Sequence, residues 1–332
     1  MALENNPKIS VVMSVYKEPL EWLHQSIDSI LNQTISDFEF IIICDNPGYK
    51  EGIELLEAYK MKDKRIVLVF NEQNIGLTKS LNKGLAIAKG EYIARMDADD
   101  ISLPDRFDVQ LSFMEKNPNV DVCHTNFSFI DKKGIITKYS VVPHKRTNQD
   151  LLFCRNIVGH PTVLFKQSLL DLRTPFYNEN YRSAQDYELW TYLTLNGIQI
   201  NFVNSIQLQY RVTNNQVSSQ RFQEQHNNTY EIRRSFIFSY LSRLNVWNKE
   251  IVEPISIYKA ININYNKLPP ETQKKLGWVL YVLYYTMSCG KIKYVLNFLL
   301  DKRMRKLKLG LDDIIRIIAA PVVGNHYKGM KL

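Results

Sequence analysis

The sequence predicts an α/β fold: a mixed, mostly parallel sheet with helices on its faces, continued by a helical C-terminal region. Three observations predict it. Short apolar, β-branched runs alternate with segments of 3.6-residue apolar period over residues 9–96. Polar residues gather directly after those apolar runs, at the carboxyl ends of the strands. Beyond about residue 225 the strand pattern stops and a basic, helical composition takes over.

Taken in order, ISVVMSV at Ile9–Val15 reads as a buried strand, because it is short, apolar and β-branched. Glu18-Pro19 opens a helix whose apolar face is Leu23, Ile27, Ile30 and Leu31. FEFIIIC at Phe38–Cys44 is a second strand, stopped by the turn residues Asp45-Asn46-Pro47-Gly48. A helix over 52–59 and a strand over 65–70 (RIVLVF) follow. Residues 77–88 form a helix with Leu81, Leu85 and Ala88 on one face, closed by Gly90, and 91–96 (EYIARM) form the fourth strand. Such alternation marks βαβ units, whose sheets bind ligands at the carboxyl ends of their strands. Tyr16, Glu18, Asp45 and Asp97 to Asp100 all fall at those ends. Further on, strands are expected at 120–130, 134–142 and 161–166, and a helix over 185–196 with Leu189, Tyr192 and Leu193 inward. Residues 230–260 and 272–320 read as helical.

Composition narrows the classes. The 332 residues suffice for one α/β domain plus an appended segment, and 45% hydrophobic with 23% charged residues excludes wholesale disorder. The N-terminal eight residues are polar and carry Pro7, so no signal peptide is expected, and no run reaches the roughly 18 apolar residues of a membrane span. Cys44, Cys123, Cys154 and Cys289 make no CxxC pair, which argues against a zinc site or a disulfide framework and for a reducing, cytoplasmic setting. No G-x-G-x-x-G follows any strand, which disfavours a nicotinamide-dependent oxidoreductase. Residues 240–332 hold 16 Lys/Arg and 6 Asp/Glu, a net of +10; since the whole chain is +8, the first 239 residues carry −2. The basic charge therefore belongs to the C-terminal part. Its aromatics and basics do not interleave as a nucleic-acid stacking groove requires, so nucleic acid is not expected as a partner.

Asp97-Ala98-Asp99-Asp100 follows an apolar strand directly. Three carboxylates in four residues repel one another, and a cation or solvent must neutralise them. Asp97 and Asp99, two apart in extended chain, can point the same way, and carboxylates suit hard cations such as Mn²⁺ or Mg²⁺. The other reading is a solvated loop in which Asp100 caps the helix beginning near Leu103-Pro104.

The strings ISVVMSVYKE, FEFIIICDN, NIGLTKSLNKGLAIAKGEYIARMDADDISLPDRF and GHPTVLFK…SAQDYELW occur in order. On these the chain resembles the family 2 glycosyltransferases, non-processive bacterial inverting enzymes with a GT-A fold, over residues 8 to about 220. The resemblance implies a catalytic domain at 1–225, with nucleotide-sugar binding in 1–105 and acceptor binding in 106–225, and a basic helical region at 226–332. It implies that Ser14, Tyr16 and Glu18 contact the nucleotide base, and that Asp45 bonds the uracil or ribose. Relatives often carry two acids at the latter place; here Cys44, read as a small buried hydrophobe, takes one of them. Lys79, behind Asn74-Ile75-Gly76 at a helix start, would meet ribose or phosphate charge, or would be a solvated helix lysine. Asp99 would ligate the metal directly, and Asp97 the ribose or a metal-bound water. Arg106 would pair with the acidic loop. Arg211 falls where relatives place a diphosphate-binding cation, although Thr213-Asn214 replaces the usual histidine nearby.

Asp186, in Gln185-Asp186-Tyr187-Glu188-Leu189-Trp190, matches the family's E-D motif and would be the general base, or the N-cap of its helix. Gln185 stands where Glu is usual and would orient substrate without charge. Glu188 is the weaker candidate. Trp190 would be an apolar platform for the acceptor sugar or a core residue, and His160 a phosphate or metal contact or a structural hydrogen-bonding group. No Q-x-x-R-W string appears, which disfavours a processive synthase. The implied cofactor is Mn²⁺ or Mg²⁺, the donor a UDP-sugar, and the acceptor a saccharide linked to polyprenyl diphosphate in O-antigen, capsule or exopolysaccharide assembly. The alternative is an inactive scaffold of the same fold that binds nucleotide or saccharide. Residues 303–318 are basic early and apolar at helical spacing, and 276–287 are apolar but too short to span. The region 240–332 would lie on the anionic cytoplasmic face of the inner membrane, or pack as a bundle.

Overall fold

The computed structural model describes residues 6–140, 156, 158–213 and 222–243, and beyond these only 265–267, 270, 273, 280, 292–302, 304 and 318. The chain divides into two compact units. The first comprises Met1–Asn148 and Asn156–Ile232, the second Gln149–Arg155 and Arg233–Leu332.

In the first unit, strands β1 (Ile9–Val15), β2 (Phe38–Cys44), β3 (Ile66–Phe70) and β4 (Tyr92–Asp97) alternate with helices α1 (Leu20–Leu31), α2 (Lys50–Lys62) and α3 (Leu77–Ile87). These four strands lie in the order β3-β2-β1-β4 and pair in parallel throughout. Beyond β4 the sheet becomes mixed. A short β5 (Ile101–Ser102) and helix α4 (Arg106–Lys116) lead to a hairpin, β6 (Val122–Ile130) and β7 (Ile136–Tyr139). Next come β8 (Leu164–Lys166), helix α5 (Gln185–Leu195), β9 (Ile200–Arg211) and helix α6 (Phe222–Arg243). The strand order continues β4-β8-β6-β9-β5, with β7 beside β6. β8 is antiparallel to β4 and β6, β9 is parallel to β6, and β5 is antiparallel to β9.

The parallel strands read as continuous apolar runs because both their faces are covered. Ile9, Val11, Met13 and Val15 of β1, Phe40 and Ile42 of β2 and Met96 of β4 are buried in one core with Leu23, Ile27 and Ile30 of α1 and Phe107 of α4. Helix α3 covers the sheet closely at Gly84, where a Cβ would come within 2.6 Å of Ile43 Cδ1 and 2.7 Å of Val12 Cγ1. Gly90, at the entry to β4, approaches the backbone of β1: a Cβ there would meet Ser10 N and lie 2.6 Å from Ile9 C.

Two expectations change. Residues 161–166 were expected as one strand, but His160–Thr162 is a short 3₁₀ turn and only Leu164–Lys166 is strand. Pro161 fixes φ and removes a ladder donor, so it favours the turn. Arg106 does not pair with the acidic loop. It is fully buried, its Nη2 donates to the carbonyls of Arg95 (2.9 Å) and Val163 (3.2 Å), and its Nε donates to Gln110 Oε1 (2.9 Å). It fastens α4 to the sheet.

The second unit is described only in part. Helix α7 (Ile292–Leu300) buries Val295 and Phe298 and exposes Leu296, Leu299 and Leu300. The segments 276–287 and 303–318 lie outside the described residues apart from Leu280, Met304 and Ile318. Among the described residues, no helix is long and apolar enough to cross a membrane.

Gly90→Ala is expected to lower stability by about 2 kcal/mol, because backbone rather than a flexible side-chain end must yield. Urea unfolding monitored by far-ultraviolet circular dichroism measures it; an unchanged midpoint would show that β1 and β4 part freely there.

Candidate active site

The chain leaves β1 towards β2 on one side and returns from β3 to β4 on the other. The carboxyl ends of β1 and β4 therefore flank a topological switch point, where such sheets open a crevice. In the β1–β4 register Ser14 stands opposite Asp97. Half-buried Ser14, exposed Tyr16 and half-buried Glu18 thus share one edge with the acidic loop. Glu18 accepts from the Tyr16 amide at 2.8 Å, and its carbonyl accepts from the Tyr49 hydroxyl.

Asp97, Asp99 and Asp100 bring carboxylate oxygens within 4.8 Å of one another. Burial, with the charge of Asp97, raises Glu18. Burial, then the charges of Asp97 and Glu18, pushes Asp99 up to about 7. Asp100 is raised well above its ordinary value by burial and by Asp99 and Asp97. Asp100 Oδ1 accepts from the Arg211 amide at 2.8 Å, whereas its buried Oδ2 has no hydrogen-bond donor. Crowded hard oxygens, one of them buried without a donor, fit a divalent cation.

Arg95 is a residue that sequence reasoning missed. Its side chain is 4% exposed, and one terminal nitrogen pairs with Asp97 Oδ1. Nε and Nη1 are buried without acceptors. Its charge bears on Asp97, Asp99 and Asp100, and also on His160, Tyr177 and Asp186. The available signal was an arginine inside an apolar strand, since a buried cation requires an anion.

Asp45 and Arg211 are engaged by the protein itself. Asp45 is buried and saturated: it accepts from Asn71 Nδ2 (2.8 Å), Ile75 N (2.9 Å) and Gly76 N (2.8 Å). It thereby anchors the loop that starts α3, where Gly76 has φ +87°. Exposed Lys79 sits in the first turn of that helix. Cys44 is a buried thiol raised by that burial. Arg211 is fully buried. Its Nε donates to the Asp99 carbonyl (2.8 Å), Nη1 to the carbonyls of Asp131 (3.1 Å) and Lys132 (3.4 Å), and Nη2 to Gln25 Oε1 (2.6 Å). A guanidinium so engaged shapes the acidic loop.

Asp186 lies in the first turn of α5, half-buried at the surface, with buried Gln185 before it. Burial raises its carboxyl, opposed by the Tyr187 amide, the Asn156 side chain and Arg95. Asn156 Nδ2 donates to Asp186 Oδ2 at 2.6 Å and was also missed by sequence reasoning. Glu188 is not available as a base, because Arg173 holds it with a bidentate fork at 2.7 and 2.9 Å. Trp190 is no platform: it is 1% exposed, with its ring centroid 6.1 Å from that of His160. His160 is itself buried, 2.7 Å from the Tyr177 hydroxyl, and burial together with Arg95 holds its imidazole well below the ordinary value. It is a neutral hydrogen-bonding residue, and its neighbours are Tyr177 and Trp190.

Comparison with known proteins identifies the family and the fold. A sequence profile described as "Glycosyl transferase family 2" matches residues 10–172. The O-antigen biosynthesis glycosyltransferase WbnJ of Escherichia coli is 35% identical over 218 residues, covering 64% of this chain and 83% of that protein. The E. coli UDP-Glc:alpha-D-GlcNAc-diphosphoundecaprenol beta-1,3-glucosyltransferase WfgD is 29% identical over 242 residues, 71% of this chain and 89% of that one. In fold, the chain is similar to S. aureus TarS 1–349 in complex with UDP, with a TM-score of 0.58 and 16% identity over 97% of this chain and 91% of that one. With a GT-A fold and these relatives, the chain belongs to glycosyl transferase family 2 and is a glycosyltransferase.

Proposed function

We propose that this glycosyltransferase moves a sugar, with inversion, from a UDP-sugar to a hydroxyl of a saccharide acceptor linked to polyprenyl diphosphate. The assembly served is a bacterial surface polysaccharide (O-antigen, capsule or exopolysaccharide), and the reaction takes place on the cytoplasmic side of the membrane. The observation that carries this reading is the presence of two acidic centres that both feel the buried charge of Arg95, which pairs with Asp97 and whose field reaches Asp186. One is the cation-seeking Asp97–Asp99–Asp100 cluster at the switch point; the other is a single, raised carboxyl, Asp186. The UDP bound in TarS supports the carrier, and the names of WfgD and WbnJ support the acceptor class.

Asp99 and Asp100 would hold Mn²⁺ or Mg²⁺, with Asp97 beside them paired to Arg95. Such an ion, when bound, supplies Lewis-acid neutralisation of a departing diphosphate. Ser14, Tyr16 and Glu18 form the wall for the nucleoside, and Lys79 faces it from the start of α3. Asp45 and Arg211 act as positioning residues, one for the loop before α3 and one for the acidic loop.

The transfer is a single displacement. The acceptor oxygen forms its bond to the anomeric carbon as the bond from that carbon to the diphosphate oxygen breaks. The electron pair leaves with UDP, and the acceptor proton passes to Asp186. A raised carboxyl is the stronger base once ionised, and Asn156 and Arg95 favour its charged form against the effect of burial. Gln185 orients without adding a second charge. An inactive scaffold would not need a half-buried carboxylate oriented by Asn156 at this place.

Asp186→Asn is expected to keep UDP binding in calorimetry and to lower kcat by about 10³-fold; normal turnover would remove Asp186 from the role of base. Nucleotide release from a panel of UDP-, GDP- and dTDP-sugars with Mn²⁺, repeated with EDTA, names the donor, and equal release from all three carriers would contradict the UDP assignment.

Asn156→Ala removes a donor to the charged form of Asp186. The acid limb of the kcat–pH profile is expected to move to higher pH by about half a unit to one unit. An unmoved limb with lower kcat would leave Asn156 a purely structural part.

Asp99 rises from an ordinary value of 3.8 to about 7 in the folded protein, so its ionisation subtracts stability as pH climbs through that interval. Mn²⁺ should therefore raise the thermal midpoint more at pH 7.5, by about 5 °C, than at pH 5, where protons compete. Asp99→Asn should raise the midpoint without metal and abolish the Mn²⁺ response. A response retained by that variant would place the ion elsewhere.

A further inference from the structure

The β6–β7 hairpin carries a surface that the transfer reaction does not use. Residues 132–139 read Lys-Lys-Gly-Ile-Ile-Thr-Lys-Tyr. All four residues of β7 are exposed, and Ile135, Ile136 and Tyr139 are 60%, 42% and 55% exposed. Lys132, Lys133 and Lys138 are exposed too, and none forms an ion pair among the described residues. The acid of the turn, Asp131, is tied inward, its Oδ1 accepting from the amides of Lys133 (2.8 Å) and Ile135 (2.9 Å). Three exposed lysines thus flank three exposed apolar side chains along the turn and β7.

The hairpin is braced. Phe127 and Phe129 of β6 and Tyr210 of β9 form an aromatic trio with centroids 5.0 to 6.0 Å apart. Gly134 takes φ +81° in the turn. The Lys132 carbonyl accepts from the Trp22 indole at 3.2 Å. Arg211 links the carbonyls of Asp131 and Lys132 to that of Asp99. The turn of the hairpin is therefore one side chain away from the acidic loop.

We infer that this hairpin docks the enzyme on an anionic lipid bilayer, with Ile135, Ile136 and Tyr139 entering the headgroup region and Lys132, Lys133 and Lys138 meeting acidic headgroups. Charge complementarity selects this occupant: a second copy pairing along β7 would set lysines against lysines. Interfacial binding combines apolar burial with attraction to acidic lipid, and tyrosine suits the boundary between them. A hairpin already rigid loses little conformational freedom on insertion. The inference gives a purpose to the lipid-linked acceptor proposed above, but it is tested without donor or acceptor, so either reading can fail alone.

The full chain is sedimented with phosphatidylglycerol–phosphatidylethanolamine vesicles and with phosphatidylcholine vesicles. Binding is expected only to the first. Each lysine near an acidic surface contributes about fivefold, so Lys132→Gln, Lys133→Gln and Lys138→Gln together should weaken binding by about a hundredfold. Ile135→Ser with Ile136→Ser should weaken it by about tenfold or more at unchanged thermal midpoint and UDP affinity. Tyr139→Trp should shift its fluorescence to the blue on the anionic vesicles and be quenched by brominated acyl chains. Three results would overturn the inference: native protein that stays in the supernatant, hairpin variants that bind undiminished, or serine variants that lose self-association instead of vesicle binding.

Discussion

Like charge at the end of β4 is the constraint that organises the catalytic unit. Glu18, Asp97, Asp99 and Asp100 meet at the switch point, and burial raises three of them. Buried arginines manage this field in series. Arg106, deep in the core, holds the carbonyls of Arg95 and Val163 and so fixes the strand that presents Arg95. Arg95 pairs with Asp97. Arg211, arriving from β9, donates its amide to Asp100 and its guanidinium to the Asp99 carbonyl. The loop is thus held largely through its backbone and through Asp97, and one buried oxygen of Asp100 is left without a donor beside Asp97 and Asp99. Removing a charge from water without such partners would cost several kcal/mol.

The carboxyl proposed as the base is built by the opposite balance. Asp186 has one neutral donor in Asn156, one amide in Tyr187 and a shared cation in Arg95, and burial still outweighs all three. Its helix starts from Ala184, a non-glycine residue at φ 63° that is buried beside Tyr187 and Ile232. Left-handed backbone at alanine is sparsely populated and persists only where packing enforces it. That packing fixes the direction in which α5 leaves, and with it the position of Asp186. On the proposed reading, the two carboxylate environments, one crowded and one solitary, divide cation binding from proton transfer.

The parts of this arrangement written in local pattern were legible in the sequence. The apolar runs of β1, β2 and β4 gave the strands, Gly76 and Gly90 bounded α3 and β4, and the Asp97–Asp100 cluster stood where strand ends were expected. Less local features were not. β9 (INFVNSIQLQYR) escaped notice because Asn201, Asn204 and Ser205 interrupt its alternation, and its pairing with β6 shifts register at Asn126. Trp190 and His160 were polar or aromatic enough to suggest contact with substrate, but both are buried against each other. Arg211 and Asp45 carry charge into the site, yet backbone partners far along the chain occupy them. Asn156 could not be singled out, since its partner lies 30 positions away and an isolated asparagine carries no pattern.

Helix α3 explains how the two centres keep a fixed separation. Its N-terminal loop is anchored to β2 by Asp45. On its flank, Asn82 bonds reciprocally with Tyr177, donating to the carbonyl at 2.9 Å and accepting from the amide at 2.8 Å. Thr78 donates to the Tyr181 carbonyl at 2.9 Å. The segment so tethered runs directly into Ala184 and Asp186, and Tyr177 also meets His160. One helix therefore carries the loop anchored by Asp45 at its start and the approach to Asp186 along its side. A single displacement requires the incoming oxygen, the anomeric carbon and the departing oxygen to lie nearly in line, and an error of about 1 Å lowers the rate by about 10²-fold. A frame that couples both ends of that line through side-chain-to-backbone hydrogen bonds suits the displacement proposed above.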